Sequence, residues 1–295
     1  MAGFLIGYTL ALLFYESVDM WTCPHCKETL LLNATGDAWA CGNKHQFDCA
    51  REGYVNLLPA NRKRSLHPGD SPQMMEARRR VHAADLYRPL ADAIEGLLSP
   101  LASMQNMLDL GCGEGYYSAA LQRAQPQAQL YGIDIAKPAV RLASKQHQGA
   151  RFAVASAYEL PLPDDAQDVV LRVFAPSDDR EMRRILTPQG FYLEVTPAAH
   201  HLWQLRAQLY DSPRAHGEAR TVIPGMRLHE QSDISYEVEL VGSLLQDVVA
   251  MTPFAHRGHR EKREQLLLLD SLTVEMSFSL SLFQINPVSP WGTRS

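Results

Sequence analysis

The 295-residue sequence predicts an α/β fold preceded by a small metal-binding ribbon, on three observations. An apolar run ends at Asp109 and leads into glycines at alternate positions, Gly111, Gly113 and Gly115, before a helical pattern at Tyr117, Ala120, Leu121 and Ala124. Apolar runs of strand length then alternate with helical ones to about residue 195. Ahead of them stand Cys23-Pro24-His25-Cys26 and Cys41-Gly42-Asn43-Lys44-His45, with one loop between the two pairs.

The glycine stretch reads as strand, tight turn and helix N-terminus, the place where an α/β sheet holds a nucleoside-bearing ligand. Glycine suits it because the backbone turns sharply and lets a ligand approach closely. The spacing is Gly-x-Gly-x-Gly, not the Gly-x-Gly-x-x-Gly of dinucleotide enzymes. The whole core follows this rhythm: strand 106–110, helix 115–125, strand 129–133, helix 138–146, strand 151–155, strand 167–173, helix 178–186 and strand 190–195. Further on the pattern predicts a long amphipathic helix over 199–209, loop over 212–230, strand 234–240 and helix 242–250. A basic turn at His256 to Arg260, a helix to about Leu269 and a last strand within Thr273–Ile285 complete it.

Composition narrows the function. A hydrophobic content of 46% with 21% charged residues is that of an ordinary globular chain. A net charge of −5 argues against a protein that coats nucleic acid indiscriminately, and no DNA partner is expected. The five cysteines, three of them clustered with a histidine, suit metal-bound and free thiols in a reducing, cytoplasmic setting better than disulfides. The apolar run Phe4 to Tyr15 is too short to span a membrane and lacks a positive leader, so residues 1–20 read as an extension upstream of a start at Met20. The competing reading, a membrane anchor, conflicts with the thiol-rich segment that follows.

Cys23, Cys26, Cys41 and His45 supply three thiolates and one imidazole, a closed tetrahedral set typical of structural Zn²⁺. The loop between the pairs, with a turn at Asn33 to Asp37, reads as a small β-ribbon. His25 falls outside the completed pairs, and Cys49 reads as a small packing residue. The other reading, a redox Cys-x-x-Cys beside an unrelated pair, fits this spacing less well. From Arg51 to Arg88 eight Lys or Arg face four acids, a local charge of +4. Asn61 to Pro72 reads as a mobile basic loop, Met74 to His82 as a helix with three consecutive arginines, and Tyr87 to Leu98 as another with Pro89 in its first turn. Each arginine alone reads as a solvated face; the cluster reads equally as a phosphate-contacting surface.

Asp134 ends the second strand, about 20 residues beyond the glycine turn, where a carboxylate can accept both hydroxyls of a ribose or cap the next helix. Glu159-Leu160-Pro161-Leu162-Pro163 follows the third strand, and Leu186-Thr187-Pro188-Gln189-Gly190 precedes the fifth. In that order these landmarks resemble the class I S-adenosylmethionine-dependent methyltransferases. The resemblance implies a Rossmann-like seven-stranded sheet of order 3-2-1-4-5-7-6, its last strand antiparallel, with the methionine half of the cofactor along Asp109, Gly111 and Gly113. One departure is Ala155-Ser156-Ala157-Tyr158, where many relatives carry an acid for the adenine amino group; Ser156 or backbone groups must do that work here.

The whole chain resembles a narrower family. The ribbon, Phe47-Asp48, Glu52 to Pro59, Pro68 to Ser71, Met74 to Arg79, Leu108 to Tyr117 and Met251-Thr252-Pro253-Phe254 are similar to the large-subunit rRNA methyltransferase A family, closer to its Gram-negative branch. That resemblance implies methylation of guanine N1 in a hairpin loop of 23S rRNA and homodimers whose zinc modules grip RNA. It also implies cofactor contacts at Tyr87, Gly113, Glu114 and His201. The domains are then a zinc-ribbon RNA-recognition module at 21–60, a basic loop and helical linker at 61–104, a methyltransferase domain at 105–286 and a loose tail at 287–295. After the fourth strand, Phe174 is a candidate to stack on the guanine and Arg172 to contact its carbonyl or a phosphate; equally, Phe174 reads as core and Arg172 as a surface ion-pair partner. No general base is identifiable. A small-molecule methyltransferase, or a zinc-ribbon RNA-binding protein that holds cofactor without reacting, are the competing readings.

Overall fold

The computed structural model describes residues 20–59, 71–252 and 260–286. The upstream extension through residue 19, the basic loop from 61 to 70, the basic turn from 256 to 259 and the tail from 287 lie outside the described residues.

The ribbon consists of β1 (Leu31–Leu32), β2 (Ala38–Ala40) and β3 (Gln46–Asp48), paired antiparallel in that order. A short β4 (Val55–Asn56) follows, then α1 (Pro72–Ala83) and α2 (Arg88–Leu98). The alternating core runs β5 (Asn106–Leu110), α3 (Tyr116–Ala124), β6 (Gln129–Asp134), α4 (Lys137–Gln146), β7 (Arg151–Val154), β8 (Gln167–Val173), α5 (Asp179–Ile185) and β9 (Leu186–Pro197). The chain ends with α6 (Trp203–Leu209), β10 (Met226–Val241), α7 (Ser243–Met251), α8 (Arg260–Leu266) and β11 (Ser271–Ile285). Ser71 caps α1 by accepting from the Met74 amide at 3.2 Å, with Pro72 at its first position.

The main sheet has the order β10-β11-β9-β8-β5-β6-β7-β4, parallel except that β11 runs antiparallel to both β9 and β10. Taken from β5 onward this is the 3-2-1-4-5-7-6 order that the resemblance implied. The expected seven strands are eight among the described residues, because β4 leaves the ribbon and pairs parallel with β7. Its Val55 is 1% exposed, and the Leu57 amide donates to the Val154 carbonyl at 2.9 Å, so the ribbon closes an edge that would otherwise expose unpaired backbone. Met107, Leu108 and Leu110 of β5 are fully buried, as expected of a central parallel strand covered on both faces.

Two other expectations shift. The helix expected over 199–209 begins only at Trp203, because Leu202 takes a left-handed conformation (φ 53°) that breaks the helical path. The loop expected over 212–230 ends at Gly225. β10 starts at Met226, its polar residues facing solvent from the outer strand of a long hairpin, which makes the segment look loop-like in sequence.

The ribbon is seated on the sheet by Trp21, 1% exposed, whose ring meets Tyr131 of β6 edge-on at 5.3 Å. The Thr22 amide donates to the Pro161 carbonyl at 2.9 Å, and Lys27 pairs with Glu159. Trp21→Ala is expected to cost about 3–5 kcal/mol, as for buried Trp or Phe truncations. Urea unfolding in the presence of zinc measures it; a loss under about 1 kcal/mol contradicts this seating.

Candidate functional site

The metal centre arises from two backbone knuckles of the same shape. The Lys27 amide donates to the Cys23 carbonyl at 2.8 Å and the Lys44 amide to the Cys41 carbonyl at 3.0 Å, with Lys27 and Lys44 both left-handed (φ 65° and 63°). Each knuckle turns its side chains inward, so the ligand atoms of Cys23, Cys26, Cys41 and His45 all lie within 4.8 Å of one another. Cys26 and Cys41 sulfurs stand 3.6 Å apart, and His45 Nδ1 stands 3.6 Å from Cys23 and 3.4 Å from Cys41. A disulfide needs about 2.05 Å. Tetrahedral ligands at zinc bond lengths of about 2.0–2.3 Å stand about 3.3–3.8 Å apart, so the set fits Zn²⁺. With four protein ligands no position is open for chemistry, and the metal holds shape. His25 lies outside this set and stacks on Phe47 instead.

A second feature is a cleft of about 1260 Å³ at the carboxyl ends of the parallel strands. It opens where the chain order reverses between β5 and β8, as ligand sites in open α/β sheets do. Gly111, Gly113 and Glu114 line one side, with Asp134 beside them. A side chain at Gly111 is excluded twice: φ is +76°, and an added Cβ would lie 2.3 Å from that of Ala175. The Gly113 amide donates to one Asp134 oxygen at 3.0 Å and the Ala136 amide to the other at 2.7 Å. Asp134 therefore caps the entrance to α4 while facing the cleft, so the two roles read from the sequence are compatible.

Asp109 is placed differently from the expectation that it lines the cofactor. It is 2% exposed, does not line the cleft, and accepts from the Ser118 hydroxyl at 2.6 Å, so it anchors the first turn of α3 behind the glycines. Burial, opposed by Ser118 and reinforced by Asp134, pushes its carboxyl up to about 7. Glu114 does line the cleft, and its carboxylate meets His82 Nδ1 of α1 at 2.9 Å. His82 stacks on Tyr116 at 4.0 Å and presents its edge to Tyr87, which also lines the cleft and whose phenol burial pushes up to about 12. Sequence reasoning missed His82, which stands in no motif and meets Glu114 only through the fold. Ser156 lines the cleft too, its hydroxyl accepting from the Tyr158 amide at 3.2 Å.

Phe174, His201, Arg206 and His216 line the cleft as well. Phe174 is not core: it is 44% exposed and left-handed (φ 54°), a strained state for an aromatic residue. Its ring faces His201 at 6.5 Å and 26°. The Ser277 amide donates to His201 Nδ1 at 3.3 Å, so the ring is neutral with its proton on Nε2. Burial, with His216 and Arg206 adding to it, pushes His201 down to about 3. Arg172 is an ion-pair partner, half-buried rather than on the open surface. It pairs with Glu194 and donates to Ser177 at 2.9 Å, while Arg220 binds the same Glu194 at 2.7 Å and Asp179 at 2.8 Å. Its guanidinium is thus tied to β9 while Arg172 also lines the cleft, so the ion-pair role read from the sequence is present and the residue still borders the space where a ligand would sit. Among the described residues, no helix is long and apolar enough to cross a membrane.

Known proteins share both halves of this architecture. The family model described as RlmA, N-terminal, a zinc ribbon, matches residues 21–66, and the model described as Methyltransferase domain matches 107–190. A 23S rRNA (guanine(748)-N(1))-methyltransferase of Streptomyces fradiae is 35% identical over 243 residues, covering 78% of this chain and 84% of the relative. Chains assigned 23S rRNA guanine-N1 methylation in Micromonospora griseorubida and Bacillus subtilis are each 37% identical, covering 62% and 66% of this chain and 67% and 71% of their own.

Asp109 makes stability depend on pH. An unfolded aspartate ionises near 3.9, whereas folded Asp109 does so at about 7, so between those values the folded state holds the extra proton. Stability present below about pH 4 is therefore lost as pH rises to about 7, by ~4 kcal/mol. Asp109→Asn is expected to flatten this slope in urea unfolding across that range; a slope equal to the parent's contradicts the assignment.

Proposed function

Because the chain belongs to the 23S rRNA (guanine-N1)-methyltransferase family, we propose that its cleft sets S-adenosylmethionine against a guanine drawn out of a 23S rRNA hairpin loop. The observation that carries this reading is the joining of a family-specific zinc ribbon to the methyltransferase sheet in one chain, with β4 built into that sheet. A small-molecule methyltransferase has no use for such a ribbon.

When bound, S-adenosylmethionine supplies a methyl group already activated on a sulfonium, so the protein's task is alignment and proton removal. Asp134 would accept from the ribose hydroxyls, its orientation fixed by the amides of Gly113 and Ala136. Gly111 and Gly113 would take the methionine half, with Tyr87 and Glu114 beside it and with His201, which packs on Phe278 as Tyr87 and Phe174 both do, between it and the guanine. Asp109 acts from behind, by holding α3. Guanine N1 lies on the pairing edge, so the base is unpaired before it enters. Phe174, exposed and held out of the core at a cost, offers it a stacking face. Arg172 and Glu194 keep the β8–β9 rim rigid beneath that ring. On the ribbon, the exposed Lys44 and Arg51 suit phosphate contacts. A cytoplasmic homodimer, with two ribbons gripping one RNA, completes the proposal.

Methyl transfer from tritiated S-adenosylmethionine to protein-free 23S rRNA, mapped by mass to guanine N1, tests the function. No incorporation, or label on another atom, refutes it. Phe174→Ala is expected to slow transfer roughly 5- to 150-fold, the equivalent of about 1–3 kcal/mol of base stacking, with cofactor affinity kept. Asp134→Ala is expected to weaken cofactor binding at least tenfold in calorimetry, and parent-like affinity removes it from the ribose site.

A further inference from the structure

Methylating guanine N1 displaces a proton, and a group in the cleft must take it. Among the described residues that line the cleft, the carboxylate and imidazole candidates are His82, Glu114, Asp134, His201 and His216. All but the last are committed elsewhere. His82 and Glu114 hold each other at 2.9 Å, and both Asp134 oxygens accept backbone amides. His201 accepts the Ser277 amide through Nδ1, which leaves Nε2–H, a donor.

His216 is different. Its Nε2 is buried and has no hydrogen-bond partner, a state that buried polar atoms rarely adopt without a reason. Its position is nonetheless built. The His216 amide donates to the Ala199 carbonyl at 3.0 Å, and Arg206 donates to that same carbonyl and to that of Arg214, bracketing the segment. The ring lies 6.2 Å from His201, which in turn faces Phe174, so it neighbours the residue expected to stack on the guanine.

We propose that His216 is the general base that takes the N1 proton of the guanine, an inference that rests on the methylation reading. The N1–H bond breaks toward His216 Nε2 as the N1 electron pair takes the methyl carbon. The pair of the S–CH3 bond stays on sulfur, leaving a thioether, and the proton passes from the imidazolium to water. Two charged or titratable groups face the ring, Arg206 of α6 and His201 of the turn before it. Burial first, and then Arg206, hold His216 below the usual imidazole range, so its basic form predominates at neutral pH. The residues from 211 to 225 form neither helix nor strand, which lets the ring adjust to an entering base. Catalytic hydrogen bonds commonly tighten only when substrate arrives.

The test is single-turnover methyl transfer to protein-free 23S rRNA by the parent protein and by His216→Gln and His216→Ala, across acid to alkaline pH. Cofactor affinity is read by calorimetry. The parent rate is expected to rise with pH through an imidazole ionisation below 6.5. Both variants are expected to lose that limb and about 100-fold in rate at neutral pH. They should recover toward the parent as alkaline pH ionises guanine N1 itself, with cofactor affinity within about twofold. Parent-like rates, a deficit equal at every pH, or lost cofactor binding overturns the assignment while leaving the methylation reading intact. A parent protein that labels no rRNA refutes both.

Discussion

The Asp134 carboxylate joins the ends of two neighbouring strands, and the cleft depends on that junction. One oxygen holds the Gly113 amide of the turn after β5, and the other holds the Ala136 amide at the start of α4. The turn can take this path only because Gly111, Gly113 and Gly115 are all left-handed and Gly111 passes against Ala175 without a side chain. Behind it Asp109 and Ser118 secure α3. Strands β5, β6 and β8 and the helices α3 and α4 thus converge on a few backbone amides, and a site so built is positioned by rigid elements rather than by loops.

Charge is distributed unevenly around this junction. Carboxylates gather on the glycine side, where Asp134 and Glu114 face the cleft and Asp109 lies behind them. The second group, around Phe174, carries Arg206 and two imidazoles disfavoured as cations by burial. A cationic cofactor is attracted to the first side. An electron-rich base meets neutral nitrogen and arginine on the second. Asp109 is too buried to remain fully ionised at neutral pH, which limits repulsion between it and Asp134.

How much of this was legible in the sequence follows from the range of each interaction. Strands β5, β6 and β8, and the helices between them, were readable because apolar spacing is local and each glycine or proline punctuates it. The zinc ligands were readable because the metal demands a fixed spacing within each pair. The fate of β4 was not, since its partner β7 lies far along the chain and so short a strand has no pattern of its own. β10 hid for another reason: an outer strand facing water has the composition of a loop. The site divides in the same way. Asp134 and the glycines stand in one local motif. His82, Arg206 and His216 reach the cleft from separate elements, and the pairing of Arg172 with Glu194 on the next strand leaves no local signal.

Glu194 bears on why Phe174 stands where it does. It is 2% exposed and receives two guanidiniums, those of Arg172 and Arg220, and Arg220 extends the chain to Asp179. Burying such a network rarely adds net stability over an apolar core, because desolvation consumes most of the Coulombic gain. Removing one member, however, leaves an unpaired buried charge, so the network resists distortion. It ties β8 to the neighbouring β9 just before the chain turns left-handed at Phe174, a conformation that costs roughly 1–3 kcal/mol and persists only where its surroundings over-determine it. The ion pairs on one side and the contact of Gly111 with Ala175 on the other supply that over-determination. The conformation turns the Phe174 ring so that it packs on Phe278 along one side while 44% of the residue remains exposed at the cleft, which is the geometry a stacking face requires.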